Sequence, residues 1–171
     1  ISKYNYEERG MRVWLMKPAA DRRDGEFTLR SRIGLTAQCE AISPECDLRA
    51  RYAAHDKVES ARFLTELFGL PDPQPFGHFM VVTLEYGASL DYAEVSAGDQ
   101  IRPQHYAFLV SEDDFDAIYG KISAQGLEHW ADPRGSRPGE INHNDGGRGV
   151  YFRDPGGHYL EILTRPYGSG A

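Results

Sequence analysis

Residues 149–162 read Gly-Val-Tyr-Phe-Arg-Asp-Pro-Gly-Gly-His-Tyr-Leu-Glu-Ile, two apolar segments separated by a short polar one. Asp154–Gly157 predicts a tight turn between two strands, because proline presets one backbone dihedral and glycine adopts the positive one. The second strand places Glu161 within an apolar run, where burying its charge is costly unless the carboxylate is paired or bound to a metal. A glutamate on a solvated strand face would give the same pattern, so both interpretations stay open here.

This strand pair closes a unit that the sequence contains twice. The first copy covers residues 48–96 and the second covers residues 104–165, and each predicts a strand, a helix and further strands in that order. Asp56 and Ser111 stand where N-caps of the two helices are expected, and Gly69 stands where the first helix should end. We therefore predict an α+β fold of two βαβββ modules, which pair into a curved, partly open sheet around a cleft.

Superposing the two copies places Arg49 over His105 and Asp91 over Glu161. An imidazole and a carboxylate at matching ends of repeated modules are what a divalent-metal site between two sheets requires. Arg49 departs from this pattern, because a guanidinium is permanently charged and has no lone pair to donate to a cation. Taken alone, His105 could also be a packed histidine with one ring nitrogen satisfied.

The first part of the chain differs in character from the rest. Residues 1–47 predict an extension of unknown role, with a possible short strand over residues 11–16, and residues 48–168 predict the domain itself. Cys39 and Cys46 could pair with each other, but two cysteines are too few for a disulfide scaffold. We expect them to be free thiols in a reducing cytosol.

Charge and hydropathy limit the kinds of partner. The 171 residues carry a formal net charge of −7, which argues against nucleic acid or an anionic membrane surface as a partner. No apolar run approaches the length of a membrane span, and no signal peptide opens the sequence. We therefore expect a cytoplasmic protein that binds a small molecule.

Three stretches carry a resemblance to a known family: residues 55–70, 104–110 and 149–162. The last of them contains Tyr-Phe-x-Asp-Pro-x-Gly-x-x-x-Glu, which is close to a signature. On these stretches, residues 48–168 resemble the vicinal oxygen chelate superfamily, which includes glyoxalase I, extradiol dioxygenases and the bleomycin- and fosfomycin-resistance proteins. The resemblance implies paired βαβββ modules that enclose a divalent metal, and it implies a homodimer.

The resemblance also implies a ligand set. His105 and Glu161 match the family's ligand positions, and Asp91 lies where some members place a carboxylate; His55 or His78 is the alternative third ligand. The implied ion is Fe(II), Mn(II), Zn(II) or Ni(II). The implied function is a metal-dependent enzyme of the glyoxalase or extradiol dioxygenase type, which acts on a small molecule with adjacent oxygens.

Two further groups of residues belong to the predicted site. His143 and Tyr151 are the candidates for a catalytic acid, base or hydrogen-bond donor. The alternative function is a metal-free binding protein of the bleomycin-resistance kind, in which Arg49 takes the place of the first metal ligand. In either case Arg49, Phe108 and Tyr92 are the predicted substrate-binding residues, the last two as aromatic walls.

Overall fold

The computed structural model describes residues 12–16, 48–84 and 88–170, which contain nine strands, two α-helices and a short 3-10 helix at Asn144–Gly146. The strands are β1 (Arg12–Met16), β2 (Leu48–Ala54), β3 (Gln74–Phe76), β4 (Phe79–Thr83), β5 (Ala88–Glu94), β6 (His105–Leu109), β7 (His129–Trp130), β8 (Gly149–Arg153) and β9 (Tyr159–Leu163). The helices are α1 (Lys57–Phe68) and α2 (Glu112–Ala124). Apart from β1, the predicted extension and its two cysteines lie outside the described residues.

The strands form two sheets with matching topology. The first-module sheet has the order β2-β5-β4-β3, and the second-module sheet has the order β1-β6-β9-β8-β7. In each module the first strand runs parallel to the last one, whereas the remaining pairs are antiparallel. The predicted α+β architecture of two βαβββ modules is therefore confirmed. β1 lies at the outer edge of β6 as an additional antiparallel strand.

The two helices begin where their caps predict. The Asp56 carboxylate accepts hydrogen bonds from the backbone N–H groups of Val58 and Glu59, at 2.8 and 2.9 Å. Gly69 ends α1 in the left-handed conformation, at φ 68°, which glycine adopts without steric cost. Ser111 caps α2 by accepting from the backbone N–H of Asp114. Within the described residues no helix has the length and apolar character that crossing a bilayer requires.

The core lies on the helix-bearing faces of both sheets. There the Tyr52 ring stacks on Tyr106 at a centroid distance of 4.5 Å, so a residue of β2 packs directly on a residue of β6. The Tyr106 hydroxyl also donates to the backbone carbonyl of Arg51, at 3.2 Å. Both helices contribute fully or almost fully buried side chains to the same cluster: Leu64 and Leu67 from α1, and Phe115, Ile118 and Ile122 from α2.

His158 forms a second link between the modules. The ring is fully buried; its Nδ1 accepts from the backbone N–H of Gln104 at 3.0 Å, and its Nε2 lies 2.8 Å from the carbonyl oxygen of Ala53. Only a neutral imidazole with its proton on Nε2 satisfies both contacts. The backbone N–H of His158 donates to Asp154, which holds the predicted turn in place.

The carboxylate of that turn gives a pH-dependent prediction. Asp154 is buried and its Oδ2 lacks a hydrogen-bond partner within the described residues. Burial raises the pKa of the Asp154 carboxyl above its ordinary value, although its contacts with His158 and Tyr52 oppose this. A carboxyl whose pKa is raised on folding contributes fully to stability below the unfolded pKa, near 4, and this contribution is lost as pH rises through the folded pKa.

We therefore expect Asp154→Asn to gain stability relative to the wild type between pH 4 and pH 7, by about 1.4 kcal/mol for each unit of the pKa rise. The amide retains the oxygen that accepts from His158 but carries no charge. Urea denaturation across this pH range measures the free energy of unfolding of both proteins. Subtracting the two free energies removes the contributions of all other carboxylates. A difference that stays constant with pH would contradict the expectation.

Candidate metal centre

His105 and Glu161 lie on the face of the second-module sheet that is turned away from the core. Ala107 is the backbone partner of Glu161 in the parallel pair of β6 and β9, and His105 precedes Ala107 by two residues. Side chains two residues apart on a strand share a face, so the imidazole and the carboxylate point to the same side. His105 Nε2 and Glu161 Oε2 are 3.0 Å apart, and Glu161 is 0% exposed.

The contact between these two side chains does not have the geometry of a hydrogen bond. Although His105 Nε2 and Glu161 Oε2 are only 3.0 Å apart, both are buried atoms without a hydrogen-bond partner in the described part of the chain. Two donor atoms that are each about 2.1 Å from one cation and at right angles to each other are about 3.0 Å apart. The pair therefore fits a divalent metal ion, with a neutral imidazole nitrogen and a carboxylate oxygen as donors.

The other carboxylate oxygen has a different partner. The Tyr167 hydroxyl donates a hydrogen bond to Glu161 Oε1, and the hydroxyls of Tyr151 and Tyr167 are hydrogen-bonded to each other. Burial first, and then the negative charge of Glu161, raises the pKa of both phenols, so each keeps its proton at neutral pH. Tyr167 has no counterpart among the predicted site residues; it follows the last strand, in a segment without a periodic pattern.

Tyr151 is brought to the site by strand pairing. It is the backbone partner of Glu161 in the antiparallel pair of β8 and β9, and its ring centroid lies 5.5 Å from that of His105. The structure thus brings together three of the predicted site residues, His105, Glu161 and Tyr151. Their donor atoms suit a divalent cation, and a protonated phenol lies beside them.

Asp91 stands at the corresponding place in the other module. It is the backbone partner of Arg51 in the parallel pair of β2 and β5, and Arg49 precedes Arg51 by two residues. This is the same relation that His105 has to Glu161. Within residues 12–16, 48–84 and 88–170, however, no three side chains of histidine, cysteine, aspartate or glutamate are grouped closely enough to hold a metal. The structure does not bring Asp91 to the His105–Glu161 pair of the same chain.

The face that carries Asp91 combines cations with aromatic rings. Arg49 and Arg51 are exposed, and their guanidinium groups lie 5.7 Å and 5.2 Å from the ring centroids of Phe76 and Phe79, respectively. Phe76 is 62% exposed. The carboxylate of Asp91 is buried beneath this face and accepts a hydrogen bond from Ser89.

The remaining predicted residues lie elsewhere. Phe108 and Tyr92 are buried in the core, on the opposite faces from His105 and Asp91, respectively, and do not line the site. The physical reason is strand alternation, since an odd separation along a strand reverses the side-chain direction. The other histidines are not grouped with the pair: His143 is exposed before the 3-10 helix, and His55 and His78 are exposed in the first module.

Comparisons with solved structures agree with this fold. The chain is 60% identical to oxidase ChaP-H2 and 56% identical to oxidase ChaP-H1; each match covers 72% of this chain, with a TM-score of 0.69. The matches cover 96% and 98% of those two proteins. Lactoylglutathione lyase from Agrobacterium tumefaciens, at 16% identity, shares the fold over 75% of this chain and 97% of its own, with a TM-score of 0.53. The chain belongs to the vicinal oxygen chelate superfamily.

Curated relatives match shorter parts of the chain, and no family model matches it. Metallothiol transferase FosB from Shouchella clausii is 38% identical over 60 residues, 35% of this chain and 37% of that protein. Thymidine kinase from Legionella pneumophila (strain Lens) is 32% identical over 109 residues, 58% of this chain, and thymidine kinase from enterobacteria phage T4 is 42% identical over 48 residues, 28% of this chain. The matches span 52% and 25% of those kinases, so the chain corresponds to about half of their length at most.

Proposed function

We propose that residues 48–168 form a metal-dependent oxidase domain that acts on a small molecule with adjacent oxygens. The observation that carries the proposal is a pair of buried atoms, His105 Nε2 and Glu161 Oε2, which lie 3.0 Å apart on one sheet face and lack a hydrogen-bond partner among the described residues. The 60% identity with a protein named as an oxidase supports oxidation over the other reactions of the superfamily.

A divalent ion such as Fe(II) or Mn(II), bound by His105 and Glu161, would supply Lewis acidity toward two neighbouring substrate oxygens and a means of activating dioxygen. The Glu161 carboxylate would neutralise one of the ion's two positive charges. Tyr151 and Tyr167 keep their protons beside it, so either hydroxyl is able to donate to an oxygen that becomes negative during the reaction. The burial of the pair excludes water from the carboxylate, which strengthens each of these interactions.

We further propose that a second copy of the chain completes the site. The support is that Asp91 and Arg49 occupy in the first module the register positions that Glu161 and His105 occupy in the second, but lie apart from them within one chain. A homodimer in which the first-module face of one copy meets the second-module face of the other would add Asp91 as a further oxygen donor. The exposed Phe76 on that face is apolar area for such an interface.

The division of the chain is also a proposal. The ChaP-H2 match covers 72% of the chain, as residues 48–168 do to within a few residues. We propose residues 48–168 as the oxidase domain and residues 1–47 as an extension of unknown role. The chain spans only about half of the longer kinase relative, and we propose no kinase activity for it.

Metal content and oxygen use test the proposed function. We expect the full chain, purified without chelator and loaded anaerobically with Fe(II) or Mn(II), to retain roughly one equivalent per chain and to consume dioxygen with catechol-type compounds. Chelator-treated protein is the matched control, and sedimentation velocity of the same preparation gives the mass of the assembly. If the chain bound less than about a tenth of an equivalent of Fe(II), Mn(II), Zn(II) and Ni(II) alike, the hypothesis of a metal-dependent enzyme would be ruled out.

The face of Arg49 and Arg51 favours one alternative function. Two guanidinium groups that lie over the rings of Phe76 and Phe79 suit an anionic aromatic molecule, which would bind without a metal. In that case the loaded protein retains no ion, and titration with an aromatic carboxylate changes the fluorescence of the chain. If the protein retains Fe(II) or Mn(II) and consumes dioxygen, the result supports the oxidase and contradicts the metal-free alternative.

A further inference from the structure

The C-terminal segment, residues 164–170, folds back over the metal centre and is held there by backbone contacts. The N–H of Thr164 donates to the carbonyl of Arg148 at 2.9 Å, and the N–H of Gly170 donates to the Asp145 carboxylate at 3.2 Å. A Cβ atom at Gly147 would lie only 2.9 Å from the side chains of Thr164 and Arg165, so the loop and the segment are in close contact. The position of this segment is therefore set by the fold.

The segment places one phenol on the metal-binding carboxylate. The Tyr167 hydroxyl donates a hydrogen bond to Glu161 Oε1, whereas Oε2 of the same carboxylate faces His105 Nε2. The Tyr151 hydroxyl is hydrogen-bonded to the Tyr167 hydroxyl and fixes the phenol from the other side. The two carboxylate oxygens therefore differ: Oε1 accepts from the Tyr167 phenol, and Oε2 faces the proposed metal position beside His105.

We propose that Tyr167 is a positioning residue, which holds Glu161 as a ligand through Oε2 alone. The proposal rests on the proposed function. A free carboxylate can bind a cation through both oxygens and would then occupy a second coordination position. A substrate that chelates through two adjacent oxygens needs two neighbouring open positions, and the hydrogen bond from Tyr167 keeps one of them open. Removing a residue that hydrogen-bonds to a metal ligand, without contacting the metal itself, commonly changes metal affinity by about 10- to 100-fold.

A purely structural tyrosine would give a different result from a positioning one. Tyr167 is 38% exposed, so its ring is only partly packed and phenylalanine occupies the same space. Tyr167→Phe removes the hydroxyl that contacts Glu161 and leaves the backbone contacts of the segment unchanged. Tyr119→Phe is the matched control. Tyr119 lies on α2, and its hydroxyl contacts His129 of β7 rather than the site.

Mn(II) affinity and the absorption spectrum of the Co(II)-loaded protein test the proposal. We expect the Mn(II) affinity of Tyr167→Phe to differ from that of the wild type by about 10- to 100-fold, with a similar melting temperature. Its Co(II) spectrum should show a higher coordination number, because Glu161 Oε1 is then free to bind the ion. Tyr119→Phe should match the wild type in all three. Mn(II) affinity and a Co(II) spectrum unchanged in Tyr167→Phe would overturn the positioning role.

The wild type and His105→Ala separate this proposal from the proposed function. Binding of Mn(II) by the wild type and its loss in His105→Ala, together with unchanged binding by Tyr167→Phe, overturns the positioning role and leaves the metal centre standing. Failure of the wild type to bind Mn(II) or Co(II) overturns both the proposed function and the positioning role, because Glu161 is then not a metal ligand. Circular dichroism of each variant shows that the fold is retained.

Discussion

His105→Ala is expected to lower the affinity of the protein for Fe(II) and Mn(II) by more than about 100-fold and to abolish oxygen consumption. The imidazole is one of the two donors that we propose for the metal centre, and it is the nitrogen donor of the pair. Losing a direct ligand costs more than the roughly 10- to 100-fold that losing an outer partner costs. Equilibrium dialysis followed by elemental analysis gives the affinity, and an oxygen electrode gives the rate.

Glu161→Gln provides a second variant at nearly constant volume. The amide retains an oxygen that accepts from Tyr167 but loses the negative charge, so we expect the same loss of metal with little change in packing. His78→Ala is the control, because His78 is exposed in the first module and its ring packs against Phe79, away from His105 and Glu161. If His78→Ala lost the metal and His105→Ala retained it, the metal centre would have been assigned to the wrong histidine.

His158→Ala is expected to lower the free energy of unfolding by about 3 to 5 kcal/mol, a large part of the stability of an ordinary domain. The substitution leaves the N–H of Gln104 and the carbonyl of Ala53 without their partner in the interior. It also leaves a cavity beside the Tyr52 ring, which now contacts the imidazole at a centroid distance of 4.4 Å. Urea denaturation followed by tryptophan fluorescence measures the change.

Tyr159→Phe is the matched control for this effect, since Tyr159 follows His158 and its hydroxyl accepts only an exposed hydrogen bond from Arg153. We expect that change to cost less than about 0.5 kcal/mol. A His158→Ala protein whose unfolding midpoint stays with that of Tyr159→Phe would show that the ring does not join the two modules. Intact metal binding in folded His158→Ala would show that its role is confined to stability.

Local signals made the helices and most strands predictable. Asp56 and Gly69 mark the ends of α1 through hydrogen bonds and a backbone conformation that involve only neighbouring residues. The positions of β3 and β7 are not predictable from the sequence, because three and two residues are too few to show a period. Their pairing with β4 and β8 comes from tertiary contacts that the local sequence does not carry.

The internal repeat encodes the two proposed metal ligands. His105 and Glu161 stand where Arg49 and Asp91 stand in the first copy, and the parallel pairing of β6 with β9 brings them together. Strand parity also shows why Phe108 could not have joined them: it is three residues from His105 and so points to the opposite face. Tyr167 reaches the site because the chain turns back after β9, and no periodic or motif signal in residues 164–170 encodes such a return.

The antiparallel pairing of β1 with β6 runs from Arg12 opposite Leu109 to Met16 opposite His105. The strand that presents the imidazole is therefore bordered on both sides, by β9 and by a strand that precedes it by some ninety residues. An unbordered β6 would offer its backbone amides and carbonyls to other chains, as open sheet margins do. β1 thus covers the edge of the strand that carries His105, and a variant without β1 would leave that edge open to pairing with other chains.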